Sequence, residues 1–161
     1  MVIWILGKSG SGKTFYSKKL SKRFKKNCII VDGDEVRKYL TAELGYSKKD
    51  REKNSLLISN LCKYLEFKGY LVICAILSIF KKHQKNNRKL FDKYLQIYLK
   101  ADHSKLIKKS KNKVYNKKTN VVGKDIKFLT PYKSDLIIEN NYDKNYKSNI
   151  DLIYKMIKNA T

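Results

Sequence analysis

The stretch GKSGSGKT, Gly7 to Thr14, follows the apolar run VIWIL and ends in a lysine and a hydroxyl side chain. Gly7, Gly10 and Gly12 leave out side chains where a backbone must curl around an anion, and the amides of 9–14, Ser9 and Ser11 included, can then turn inward. Lys13 offers an ammonium to the β- and γ-phosphates of a nucleotide, and the Thr14 hydroxyl suits a Mg²⁺ ion bridging them. The chemistry needs a strand before the octet and a helix after it, and the flanking VIWIL and KTFYSKKLSKRF fit both. This predicts nucleoside triphosphate binding.

The receiving side is suggested by VDGDEVRKYL. It puts Asp32 and Asp34 at the C-terminal end of a second strand, where ligands of open α/β sheets bind, and Arg37 one turn beyond Asp34. A carboxylate beside a γ-phosphate can aim or deprotonate an attacking hydroxyl, and Asp32 or Asp34 can hold Mg²⁺ through water. Asp34 also suits the N-cap of a helix over 35–43, and the two roles are compatible. A guanine-reading NKxD and a DxxG switch are both missing, so a small kinase for a small molecule fits better than a GTPase.

These residues need a scaffold. Strands are expected at 2–6, 28–31, 70–77, 94–99 and 135–139, mostly apolar on both faces as in a sheet covered on both sides. Between them, Leu57, Leu61 and Leu65 with Ile58 mark a helix over 51–68, and Ile150, Ile153 and Ile157 mark a closing helix. Gly45 and Gly69 suit helix C-caps. The alternation predicts α/β architecture, a parallel, doubly wound sheet of about five strands. Nothing divides residues 1–161 into more than one domain, and the basic, poorly periodic stretch 108–133 reads as a lid-like segment.

The 37 Lys and Arg against 14 Asp and Glu give a charge of +23. Such a surface attracts any polyanion, and with 12% aromatic residues it motivates a competing, non-enzymatic reading as a basic nucleic-acid-binding module. No RRM-like or helix-turn-helix pattern appears, and the basic residues form no single stripe, so no specific nucleic acid is expected as partner. Cys28, Cys62 and Cys74 lie far apart in apolar surroundings and read as free thiols of a reducing compartment. No run approaches the roughly 18 apolar residues of a membrane span, and a cytoplasmic chain without membrane contact is expected.

In order, GKSGSGKT, VDGDEVRKYL, LGYSKKDREKN and GYLVICAILSIF resemble the adenylylsulfate (APS) kinase family, with its GLSGSGKST, DGDxxR, LGFSxxDRxEN and ISPFR-like segments, over about residues 2–140. The resemblance implies a three-layer P-loop kinase fold. It implies transfer of the γ-phosphoryl of ATP, with Mg²⁺, to the ribose 3′-hydroxyl of a small nucleotide substrate, and a homodimer. By resemblance Asp34 is the catalytic aspartate beside Lys13, Arg37, Arg51 and Asn54 bind substrate, and Tyr46 replaces a base-stacking phenylalanine. Two arginine forks and an amide suit paired anionic groups. Ser78 and Phe80 survive from the ISPFR-like segment, with Ile79 for the proline and Lys81 for the arginine. KVYNKK keeps Lys117 of a GLYKKA-like segment but has Asn116 for a lysine.

The base clamp departs most. NVVGKD stands for NFTGID, so Val121 replaces an aromatic, and extra residues before Pro131 and Tyr132 include Phe128, an aromatic that could restore the clamp from a remodelled lid. A second branch of the family, of capsule pathways, phosphorylates cytidine diphosphoramidate instead of APS. The altered clamp, and a first strand with nothing before it, lean toward that acceptor, with APS as the alternative.

Overall fold

Val2–Leu6 is β1, and its alternating side chains serve two cores. Val2, Trp4 and Leu6 face one layer of helices while Ile3 and Ile5 face the other, all five fully buried. Only a central strand of a sheet covered on both faces is apolar without interruption. The computed structural model describes residues 1–24, 27–102, 119–140 and 145–160. Along them follow α1 (Lys13–Ser21), β2 (Cys28–Asp32), α2 (Gly33–Tyr39), α3 (Lys48–Phe67), β3 (Leu71–Ile76), α4 (Lys81–Leu90), β4 (Tyr94–Lys100), β5 (Leu136–Glu139) and α5 (Tyr146–Ala160).

The five strands form one sheet in the order β2-β3-β1-β4-β5, all pairs parallel, with Val2 level with Val72 on one side and Tyr94 on the other. This is the three-layer, doubly wound architecture that the strand–helix alternation predicts. The chain leaves β1 toward one edge and later returns past it toward the other. That reversal opens a crevice at the strands' C-terminal ends. On one face Ile58 and Cys62 of α3 and Val36 of α2 pack on Trp4 and Cys74. On the other, Tyr16 and Leu20 of α1 meet Ile150, Ile153 and Ile157 of α5.

Several expectations need correction. Helix α2 begins at Gly33, and its N-cap is Asp32, whose side chain accepts from the Asp34 amide, so Asp34 sits in the first turn instead of at the cap. The buried stripe of α3 is Asn54, Ser55, Ile58, Ser59, Cys62 and Glu66, whereas Leu57 is 37% exposed. The inward face carries polar groups that answer α4, so a reading of leucines alone rotates the helix. Gly69 caps α3 with a φ of 87°, but Gly45 lies five residues beyond the last cap, Leu40, in the following turn. Cys62 and Cys74 are buried, Cys28 is partly so, and all three are free. Among the described residues no helix is long and apolar enough to cross a membrane.

Candidate active site

The octet links β1 to α1. Its first glycine is dictated by packing: a Cβ on Gly7 would stand 2.5 Å from both the Leu99 carbonyl and the Ser11 hydroxyl. Gly12 has a φ of 94°, a left-handed conformation that side chains resist, and a Cβ there would meet Asn140 Nδ2 at 2.8 Å. Asn140, at the end of β5, donates that Nδ2 to the Ser11 carbonyl at 2.9 Å. The loop is thus braced from below by a residue that the motif does not contain. No side chain caps α1, so the positive end of the helix is open to an anion.

Lys13 Nζ donates to the Lys8 carbonyl at 2.8 Å, curling the ammonium over the loop. Burial lowers it to about 8, against the opposing pull of the Asp34 and Asp32 charges. Thr14 Oγ1 donates to Asp32 Oδ2 at 2.7 Å, and Asp32 Oδ1 accepts from the Asp34 amide at 2.9 Å. One buried carboxylate therefore fixes both the start of α1 and the start of α2, with Asp34 exposed at the crevice. Hydroxyl and carboxylate oxygens side by side are the hard donors Mg²⁺ prefers. Among the described residues no three His, Cys, Asp or Glu side chains converge on a metal, so an ion here would depend on phosphate oxygens and water as well.

A cavity of about 770 Å³ runs from this loop across the strand ends. Arg37 and Arg51 stand at its far end, 4.9 and 5.3 Å from the centre of the Tyr46 ring. Arg37 Nη1 donates to the Leu44 and Gly45 carbonyls at 3.2 and 2.6 Å. Arg51 donates to the carbonyls of Tyr46 and Asn120, both at 3.0 Å. Burial, then the neighbouring Arg37 charge, lowers Arg51 from its ordinary value, and Tyr46 and then Asp34 partly offset this. Among the described residues neither arginine has a salt bridge with a carboxylate, so the pair is a concentrated positive field at the end of a cleft. Asn54 is buried and accepts from Thr41 Oγ1 at 2.7 Å through its Oδ1. Its NH₂ is then the end left for the cleft it lines.

Of the residues singled out from sequence, Ser9, Gly10, Gly12, Lys13, Thr14, Asp32, Asp34, Arg37, Tyr46, Arg51, Asn54, Ser78 and Phe80 all line this one cavity. Gly7 and Ser11, also in the octet, are buried and do not line it. Lys117, with the lid-like stretch as far as 118, lies outside the described residues. Beyond it Thr119, Asn120, Val121 and Val122 form a wall of the cavity, turned by three amides, of Lys124, Asp125 and Ile126, donating to the Val121 carbonyl. Phe128 does not restore an aromatic wall: it stacks on Tyr98, ring centres 6.0 Å apart, against the core. Sequence reasoning passed over Asn140, Thr41 and Gln84. For Asn140 a signal existed, since it ends a strand on the ligand-binding edge.

A phosphate-gripping loop at the reversal point of a parallel sheet, facing a carboxylate, defines a P-loop kinase. The chain belongs to the adenylylsulphate kinase family, whose model matches residues 1–139. It is 34% identical to the cytidine diphosphoramidate kinase of Campylobacter jejuni, over 97% of this chain and 95% of that one. It is 32% identical to a probable adenylyl-sulfate kinase of Pyrococcus abyssi, over 81% of this chain and 75% of the relative. Among solved structures it superimposes on the Mycobacterium tuberculosis APS kinase in complex with AMPPNP and APS with a TM-score of 0.80 and 26% identity, covering 94% of this chain and 96% of that one.

Proposed function

We propose that this kinase transfers the γ-phosphoryl group of ATP to the ribose 3′-hydroxyl of a nucleoside 5′-diphosphate-like conjugate, and that the conjugate is cytidine diphosphoramidate. The observation that carries the reaction is that Lys13, Arg37 and Arg51 line one cavity with Asp34, whose charge reaches both Lys13 and Arg51. ATP lies on residues 7–14 with its phosphates on the amides and Lys13. The acceptor lies at the arginine end, its anionic 5′ groups on Arg37 and Arg51, the Asn54 amide donating to it, and its base against Tyr46. Asp34 aims the 3′-hydroxyl at the γ-phosphorus and receives its proton as the new P–O bond forms and the bond to ADP breaks. Mg²⁺, held at Thr14 with Asp32 behind it, would neutralise phosphate charge. The rest of the acceleration comes from placement and fixed charge.

Support for a pyrimidine comes from Val121, an aliphatic side chain in the cavity wall that Tyr46 also lines, and from Phe128 being engaged by Tyr98. Aromatic stacking contributes roughly 1–3 kcal/mol per base, and a one-sided clamp gives up part of that for a purine. The family-wide likeness favours APS as the second reading, with PAPS as product. Coupled ADP release with APS and cytidine diphosphoramidate side by side tests the choice. A kcat/KM about ten-fold or more higher for the cytidine conjugate is expected, and the reverse order would make this an APS kinase.

A further inference from the structure

Gln84 of α4 is 1% exposed, and its side-chain amide is engaged at both ends, once on Ser78 of the cleft wall and once on Tyr132 outside the cleft lining. Its Nε2 donates to the Ser78 carbonyl at 2.8 Å, with the Ser78 hydroxyl at 3.5 Å. Its Oε1 accepts from the Tyr132 amide at 2.6 Å. The orientation is forced, because a carbonyl needs a donor and an N–H needs an acceptor.

Ser78 has a φ of 41°, a conformation that a residue with a side chain adopts only when its surroundings impose it. It is 5% exposed, so without Gln84 its carbonyl would lose its partner inside the protein. On the other side, the Tyr132 carbonyl accepts from Gln96 Nε2 at 2.6 Å, and the Gln96 backbone N–H donates to Asp135 Oδ2 at 2.7 Å. Arg88 of α4 bonds the same Asp135 carboxylate through Nη1 and Nη2, each at 3.1 Å. Tyr132 and Asp135 are thereby fixed to β4 and α4, and Gln84 carries that fixed point across to the Ser78 turn.

We propose that Gln84 is a positioning residue for the acceptor. It ties the Ser78–Phe80 wall to the anchored Tyr132, and so sets where that wall stands against the acceptor. This rests on the reading of the arginine end as the acceptor site. The phosphate loop hangs from Asn140 and Asp32 instead, so ATP binding is independent of Gln84.

Two substitutions separate the bonds. Gln84→Glu keeps an acceptor for the Tyr132 amide but sets a carboxylate against the Ser78 carbonyl, whereas Gln84→Met removes both bonds at similar length. In each, the acceptor KM should rise about ten-fold or more while the ATP KM stays within about two-fold. Amide hydrogen exchange should quicken at 77–80 in both variants, and at Tyr132 only in Gln84→Met. An acceptor KM within two-fold of wild type in folded Gln84→Glu, or both KM values rising together, would overturn the proposal. Should Gln84→Met fail to fold, the Glu variant decides. Should the wild type phosphorylate neither conjugate, the functional reading fails by itself. Exchange at 77–80 still judges Gln84: quickening supports its clamp, and unchanged exchange refutes it.

Discussion

Asp32 and Asp34 are separated by one glycine and do opposite things. Asp32 is buried and fully engaged, one oxygen on Thr14 and the other on the Asp34 amide. Asp34 is exposed in the crevice, near enough to Lys13 and Arg51 for its charge to act on both. A carboxylate free to meet a hydroxyl, set between two cationic sites, is the one placed for the chemistry. Asp34→Ala should therefore lower kcat by about 10²–10⁴-fold, with ATP affinity within a few-fold of wild type by direct titration. Near wild-type turnover would remove Asp34 from the mechanism. The place of these two aspartates and of the octet at the cleft was legible because both stand at the C-terminal end of a strand. Thr41, which orients Asn54, was not. Its contact spans thirteen residues and exists only once α2 and α3 are placed.

At the scale of elements, α3 and α4 meet through polar groups. His83 Nδ1 lies 2.9 Å from Ser55 Oγ, and Ser59 Oγ donates to Asn87 Oδ1 at 2.9 Å. Burial holds His83 below its ordinary 6.5, with Glu52 of α3 pulling upward and Lys82 of α4 pushing further down. The unfolded chain thus binds a proton more readily than the folded one. The stabilisation is fully present above about pH 6.5 and is lost as pH falls from there through the folded pKa. Melting temperature should drop more steeply between about pH 7 and pH 5 in the wild type than in His83→Gln; parallel profiles would show that His83 stays out of the transition. This interface also explains why the helix over 51–68 was readable in existence but not in rotation. Periodicity counts apolar residues, and here the buried face includes Ser55 and Ser59, paired with His83 and Asn87 of the next helix, and Asn54, paired with Thr41.

For the molecule as a whole, the strand order decides where chemistry happens. Reversal of the winding at β1 puts the phosphate loop, Asp32, and the turn after β3 along one edge, so two nucleotides can meet end to end in one cavity. The charge of +23 raises the local concentration of such anions, an effect screened beyond about 8 Å at physiological salt, and on the proposed function the arginine pair then sorts them at short range. The order of the sheet was legible only as parallel and doubly wound, since sequence alternation does not say which strands become neighbours. The most direct test of the account is to follow the terminal phosphoryl group of γ-labelled ATP with wild-type enzyme and a nucleoside conjugate acceptor. The account predicts that the label leaves with ADP formation and is found by ³¹P NMR as a single monoester on the ribose 3′-oxygen. Label released only as inorganic phosphate, or attached at any other position of the acceptor, would contradict it.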